Sequence, residues 1–143
     1  METQKEFIDS LKPWMVFKFK DVEVSELIPH YFVIINKSII NSPVLVLPVS
    51  TSQIEKRISW YRKCNLDEKC LIIIEANESN GILSKKSAFD CNQVKNKSIL
   101  DLYELYERGK ANYEWTLSLE IIERLRTWVL LSNQVEDWLK ELV

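Results

Sequence analysis

The stretch "LVLPVSTSQIEKR", from Leu45 to Arg57, joins an aliphatic run to a helical pattern through a proline and three consecutive hydroxyl residues. The run before Pro48 predicts an interior strand, and "QIEKRISWYRK" has the pattern of a helix. Two interpretations of the hydroxyls are open. Ser50 or Thr51 could be the N-cap of the helix, or the cluster could form the floor of an anion site. The two roles are compatible, because a capped helix start also binds phosphate.

Other apolar runs in the first two thirds of the chain predict further strands. Alternating or continuous apolar residues occur in "WMVFKFKDVEV", "YFVIIN", "CLIII" and "SAFDCNQVK". A short helix in "TQKEFIDSLKP" precedes these strands and must end at Pro13. We therefore expect a small, strongly bent sheet or barrel over about residues 12–97.

The last third of the chain, about 98–143, is helical by pattern. Ser98 is placed to cap a helix that ends just before Gly109. An amphipathic helix is predicted to begin near Ser118, with a break at Ser132–Asn133 before a final helical segment. No linker or repeat divides the sequence. It therefore predicts a single α+β domain over residues 1–143.

Composition and charge limit the classes of function. The whole chain has 19 basic and 21 acidic residues. This near balance does not indicate binding to nucleic acid or to a membrane. Residues 1–97 hold 14 Lys/Arg and 12 Asp/Glu, a net of +2, whereas residues 98–143 hold 5 and 9, a net of −4. An anion-binding face is therefore expected on the first two thirds.

Cysteine usage and hydropathy indicate a cytoplasmic protein. Three cysteines, Cys64, Cys70 and Cys91, leave one unpaired in any disulfide scheme, and their spacing matches no common zinc-ligand pattern. No run approaches the roughly 20 apolar residues of a membrane span, and the polar start has no apolar targeting segment. We expect no metal, no cofactor and no membrane partner.

The order of several motifs resembles a known family. "HYFVIIN", "VLVLPVSTSQIEK" and "GILSKKSAFDCNQVK", followed by a capped helix and an amphipathic helix, resemble the MazF/PemK-like toxin endoribonucleases over about residues 12–131. "CNQVK" is similar to the Glu-Gln-Ile-Arg step of that family, and Thr51 begins a similar Thr-x-Gln-Ile-x-Lys motif. The resemblance implies an SH3-like barrel of about five to seven strands, a homodimer, RNA as the substrate, and an antitoxin protein as the partner.

The family cleaves RNA without a metal, using the neighbouring 2′-hydroxyl as nucleophile. It places an arginine before the second strand and a threonine or serine after the third. Thr51 matches the second position, whereas Pro29 and His30 stand in place of the arginine. An imidazole titrates near neutrality and could act as general acid or base, although His30 could also make a single structural hydrogen bond at a strand start.

These considerations define the expected site. The expected catalytic residues are His30, Thr51 and Arg57, and the expected RNA-binding residues are Ser50, Ser52, Gln53, Lys56, Trp60, Tyr61, Arg62 and Lys63. Basic side chains contact phosphates, and aromatic rings stack on unpaired bases. The alternative for the basic residues is a solvated helix face, and for Trp60 it is core or loop packing.

The expected function is the toxin of a toxin-antitoxin pair, a metal-independent endoribonuclease that leaves a 2′,3′-cyclic phosphate and a 5′-hydroxyl. The alternative is a barrel that inhibits a protein target, as the related CcdB-like gyrase poisons do. The missing arginine and the net negative charge favour this alternative. A third possibility is a non-toxic member of the family with a structural role.

Overall fold

The structure, a computed structural model, describes residues 3–40 and 42–143. Its helices are α1 (Gln4–Ser10), α2 (Ile54–Lys63), α3 (Ile99–Glu107), α4 (Leu119–Leu131) and α5 (Asp137–Lys140). Its strands are β1 (Met15–Phe19), β2 (His30–Val33), β3 (Val44–Thr51), β4 (Leu71–Ile74), β5 (Ser87–Ser98) and β6 (Asn112–Thr116). No helix in the described ranges is long and apolar enough to cross a lipid bilayer.

The six described strands form one antiparallel sheet in the order β4-β5-β3-β2-β1-β6. The sheet curls into a half-barrel. The predicted α+β class and strand number are therefore confirmed. Strand β3 lies inside the sheet, between β5 and β2, as its aliphatic run predicts.

Strand β6 is the element that the sequence pattern does not predict, because the region 98–143 reads as helical throughout. The segment "NYEWT" lies between two capped helices, and within it Trp115 is buried and Tyr113 is exposed. It pairs with β1 at the edge of the sheet, with Trp115 opposite Val16. The sheet therefore extends beyond the expected barrel boundary at about residue 97.

Apolar side chains are buried on both faces of the sheet. Along β3, Val46 belongs to one core cluster, whereas Leu45 and Leu47 belong to another, as expected from the two-residue period of a strand. Helices α4 and α5 cover the first cluster, and α1 and α3 cover the second. Burial on both faces explains why the central strands are continuous apolar runs.

The ends of α1, α3 and α4 agree with the caps and breaks predicted from the sequence. The Ser98 hydroxyl accepts a hydrogen bond from the Asp101 N–H at 3.0 Å, and the Ser118 hydroxyl accepts one from the Ile121 N–H at 3.4 Å. Gly109, just past α3, has a φ of +72°, a conformation that glycine adopts without a steric penalty. Helix α1 ends before Pro13, as expected.

A bulge in β5 lies opposite Pro48. Pro48 pairs with Val94 while the next residue, Val49, pairs with Asp90, so residues 91–93 have no partner on β3. Proline cannot donate to the ladder and is tolerated inside a sheet where the ladder is interrupted. The bulge also re-aims its side chains, and this orients Gln93 toward α2.

Candidate functional site

The hydroxyls at the end of β3 do not cap the following helix. Helix α2 begins at Ile54 with Gln53 as its N-cap, and no side chain among the described residues caps this end by a hydrogen bond. The Thr51 hydroxyl instead accepts a hydrogen bond from the Gln53 N–H at 3.1 Å, which stabilises the turn before the helix. The Ser50 hydroxyl accepts one from the Tyr31 N–H at 2.9 Å. The capping interpretation of Ser50 and Thr51 is therefore wrong.

A groove of about 350 Å³ lies between these hydroxyls and the loop that joins β1 to β2. Its walls come from three separate parts of the chain: the β1–β2 loop with the start of β2, the end of β3 with the start of α2, and β5. The lining residues are Val24, Ser25, Ile28, Pro29, His30, Tyr31, Ser50, Thr51, Ser52, Gln53, Arg57, Ser87 and Gln93. Six of the predicted site residues are among them.

His30 is the first residue of β2, where it pairs with Phe19 of β1. Its Nδ1 lies 3.0 Å from the Ile28 carbonyl oxygen. Because a carbonyl oxygen can only accept, Nδ1 carries the hydrogen and the neutral ring has its lone pair on Nε2. Nε2 has no hydrogen-bond partner in the described part of the chain. The ring is therefore oriented by one nitrogen and available for proton transfer at the other.

Arg57 is held on three sides. Its Nη2 donates to the Gln93 Oε1 at 3.4 Å, its Nε lies 3.7 Å from the Asp90 Oδ2, and its guanidinium carbon lies 5.7 Å from the centre of the Trp60 ring. The Arg57 side chain keeps 32% of its surface exposed. Its guanidinium is therefore oriented by fixed neighbours and still reaches the groove.

Asp90 is the buried anchor of this arrangement. It is 1% exposed, and its Oδ1 accepts hydrogen bonds from the Tyr61 hydroxyl and, at 2.9 Å, from the Asn92 N–H. The Asn92 side chain also donates to the Tyr61 oxygen at 3.1 Å and accepts from the Ser132 hydroxyl at the end of α4. This polar network connects the groove to the break between α4 and α5.

Tyr61 belongs to that network and not to a binding surface. It is fully buried, so its predicted stacking on a nucleotide is wrong. Burial first, and then the hydrogen bond to Asp90, raise the pKa of the Tyr61 hydroxyl far above its ordinary value. The hydroxyl is therefore protonated at physiological pH and donates to the Asp90 carboxylate.

A second hollow, of about 240 Å³, adjoins the groove and shares three of its residues. Thr51, Gln53, Lys56, Arg57 and Trp60 line it. Trp60 is 46% exposed, so its ring is accessible for the predicted stacking on a base, whereas the ring of Tyr61 is not. Lys56 makes no ion pair within residues 3–40 and 42–143.

The other predicted RNA contacts, Arg62 and Lys63, line neither the groove nor the second hollow. The Arg62 Nε makes an ion pair with the Glu68 carboxylate, and Lys63 is exposed on the last turn of α2. Lys85 and Lys86 lie closer, beside Ser52 and Lys56 at the start of the helix. The basic surface is therefore centred on the first turns of α2.

Three polar residues in or beside the groove are missing from the predicted set. Asp90 and Gln93 contact Arg57 from β5, and Ser87 lines the groove while being 7% exposed. The Ser87 hydroxyl has no hydrogen-bond partner among the described residues. Only the "CNQVK" motif pointed toward this region, because the contacts of Asp90 with Tyr61 and Arg57 join residues about thirty positions apart.

No protein-family model matches the chain, and no curated protein matches it.

Proposed function

We propose that the chain is a metal-independent endoribonuclease, the toxin of a toxin-antitoxin pair, acting in the cytoplasm on single-stranded RNA. The observation that carries the proposal is the meeting of His30, Thr51 and Arg57 in one groove. These residues come from β2, the end of β3 and α2. Ser50, Ser52 and Gln53 lie beside them.

The groove has the donors that a phosphate needs. The unpartnered Ser87 hydroxyl, the Arg57 guanidinium and the start of α2, which has no side-chain cap, all border it. Backbone N–H groups at a helix start favour anions, and guanidinium groups pair with phosphate oxygens. A phosphodiester in the groove would therefore meet donors from both sides.

The reaction requires one proton acceptor and charge stabilisation. The Nε2 of His30 would take the proton of the ribose 2′-hydroxyl, whose oxygen then attacks phosphorus. The bond from phosphorus to the 5′-oxygen breaks, and the departing oxygen takes a proton from solvent. Arg57 would neutralise the phosphoryl oxygens and Thr51 would position the phosphate, leaving a 2′,3′-cyclic phosphate and a 5′-hydroxyl.

Substitution of Thr51 tests the proposal. Aspartate at this position can still accept the Gln53 N–H, so the fold should be kept. RNA cleavage should fall at least about 100-fold, because like charges about 4 Å apart repel by several kcal/mol in a half-buried site. Thr51→Ser should keep activity. The assay is cleavage of single-stranded RNA by the pure protein in the presence of a chelator, with analysis of the product ends.

Wild-type cleavage by a folded Thr51→Asp variant would remove Thr51 from the mechanism. The absence of cleavage of any RNA by the wild-type protein would favour the second candidate, a protein-binding inhibitor. One observation supports that candidate: the β1–β2 loop exposes Val22, Leu27 and Ile28 by 74%, 85% and 62%, and Ile28 also lines the groove. Apolar side chains so exposed are typical of protein contacts.

The proposal also predicts a homodimer and an antitoxin partner. Leu130, Leu131 and Trp138 are exposed on α4 and α5, and a stable interface would bury roughly 1,200–2,000 Å² in total. Sedimentation at micromolar concentration should show twice the chain mass of 16.9 kDa. A monomer under these conditions would contradict the predicted dimer.

A further inference from the structure

The hollow beside the groove has the character of a base-binding pocket. Trp60, which is 46% exposed, contributes an aromatic ring to this hollow. Base stacking on such a ring contributes about 1–3 kcal/mol and tolerates every base. The Arg57 guanidinium lies at the boundary, since it lines both the hollow and the groove. A nucleotide with its phosphate in the groove can therefore place its base in the hollow.

The polar groups around the hollow are mostly hydrogen-bond donors. Lys56 and Arg57 can only donate, Gln53 can do either, and the lining contains no carboxylate. The Thr51 oxygen already accepts the Gln53 N–H, which leaves its hydrogen to be donated. Arg57 is engaged by Asp90 and Gln93. Lys56 is therefore the donor most free to meet the edge of a base.

The geometry points to a guanine pocket in which Trp60 stacks on the base and Lys56 donates to its O6 and N7 atoms; this inference rests on the proposed RNA function. Guanine presents two adjacent acceptors on one edge, whereas adenine presents an acceptor beside an amino donor. Adenine would place its amino group against the Lys56 ammonium, and two donors cannot form a hydrogen bond with each other. Guanine also offers a larger stacking surface than the pyrimidines.

Binding of the four ribonucleoside 3′-monophosphates to the pure protein tests this inference, with titration calorimetry as the readout. Guanosine monophosphate should bind about tenfold more tightly than adenosine monophosphate, the discrimination typical of one good base contact. Trp60→Ala should weaken all four by about tenfold, which is the loss of one stacked base. Trp60→Phe should recover most of that loss.

Lys56→Met keeps the aliphatic stem and removes the donors. It should reduce the preference for guanine over adenine to about twofold or less, since no base-edge donor remains. Lys110→Met is the matched control, because Lys110 is exposed between α3 and β6 and lines neither the groove nor the hollow. It should leave the preference unchanged. An unchanged preference in Lys56→Met, or equal binding of all four nucleotides by the wild type, would overturn the inference.

The two proposals fail separately. A wild-type protein that prefers guanosine monophosphate but cleaves no RNA would keep the base pocket and lose the endoribonuclease function. A protein that cleaves RNA with no base preference at the cut site would keep the function and lose the pocket.

Discussion

Replacement of His30 by alanine should lower the rate of RNA cleavage by about 10²–10⁴-fold, the usual contribution of one general acid or base. His30 lines the groove, and its Nε2 has no partner in the described part of the chain, whereas its Nδ1 is engaged by the Ile28 carbonyl. RNA binding should remain nearly unchanged, because Arg57 and the hydroxyls supply the phosphate contacts. Single-turnover cleavage and equilibrium binding, measured separately, check the two expectations.

Two conservative variants separate chemistry from structure at this position. In His30→Asn, the amide nitrogen stands where Nδ1 stood and can still donate to the Ile28 carbonyl, but nothing replaces Nε2. In His30→Gln, an amide stands near the Nε2 position and cannot accept a proton at neutral pH. Both variants should cleave RNA as slowly as His30→Ala. Both should unfold at the same denaturant concentration as the wild-type protein. Full activity in His30→Asn would assign His30 a structural role and give proton transfer to another group.

Replacement of Asp90 by alanine should destabilise the protein by about 3–5 kcal/mol, the cost of breaking a buried, hydrogen-bonded charge arrangement. Most of this cost comes from the Tyr61 hydroxyl and the Asn92 N–H, which lose their acceptor inside the protein. The ion pair with Arg57 contributes less, because its atoms are 3.7 Å apart and the Arg57 side chain is one third exposed. Urea unfolding measures the change.

Tyr61→Phe is the control for Asp90→Ala. It removes one donor to the carboxylate and keeps the ring, so we expect a loss of about 1–2 kcal/mol. Asp90→Asn keeps the volume and one acceptor and should lie between the two. Asp90→Asn should also weaken RNA binding, because the carboxylate that orients Arg57 is gone. This weakening is expected even though loss of the negative charge makes the site more positive. A cost below about 1 kcal/mol for Asp90→Ala would show that the network contributes little to stability.

Strands β1 to β5 and the starts of α3 and α4 could be predicted because they depend on local chemistry. Ser98 and Ser118 cap their helices through contacts three residues away, and the run before Pro48 reads as an interior strand from its own residues. The orientation of α2 also had a local signal. Ile54, Ile58 and Tyr61 recur at helical spacing and pack on one core cluster, which already indicates that Tyr61 faces inward and Trp60 outward.

The remaining features of the site depend on distant contacts. Nothing near Asp90 in the sequence identifies Tyr61 and Arg57 as its partners, because they lie on a helix about thirty residues earlier. The bulge in β5 lies opposite Pro48 on another strand, and the sequence does not state which strands are neighbours. Strand β6 pairs with β1, nearly one hundred residues away, and its five residues are too few to stand out between two helices.

The position of Asp90 and Gln93 on β5 also has a consequence for synthesis of the chain on the ribosome. His30 and Thr51 are made early, but Asp90 and Gln93, which orient Arg57, emerge only after almost two thirds of the chain has been translated. The core cluster beneath this region is completed later still, by Leu139. Pairings between distant segments form slowly. A fragment released by translation that stops before residue 90 therefore contains His30 and Thr51 without an assembled groove.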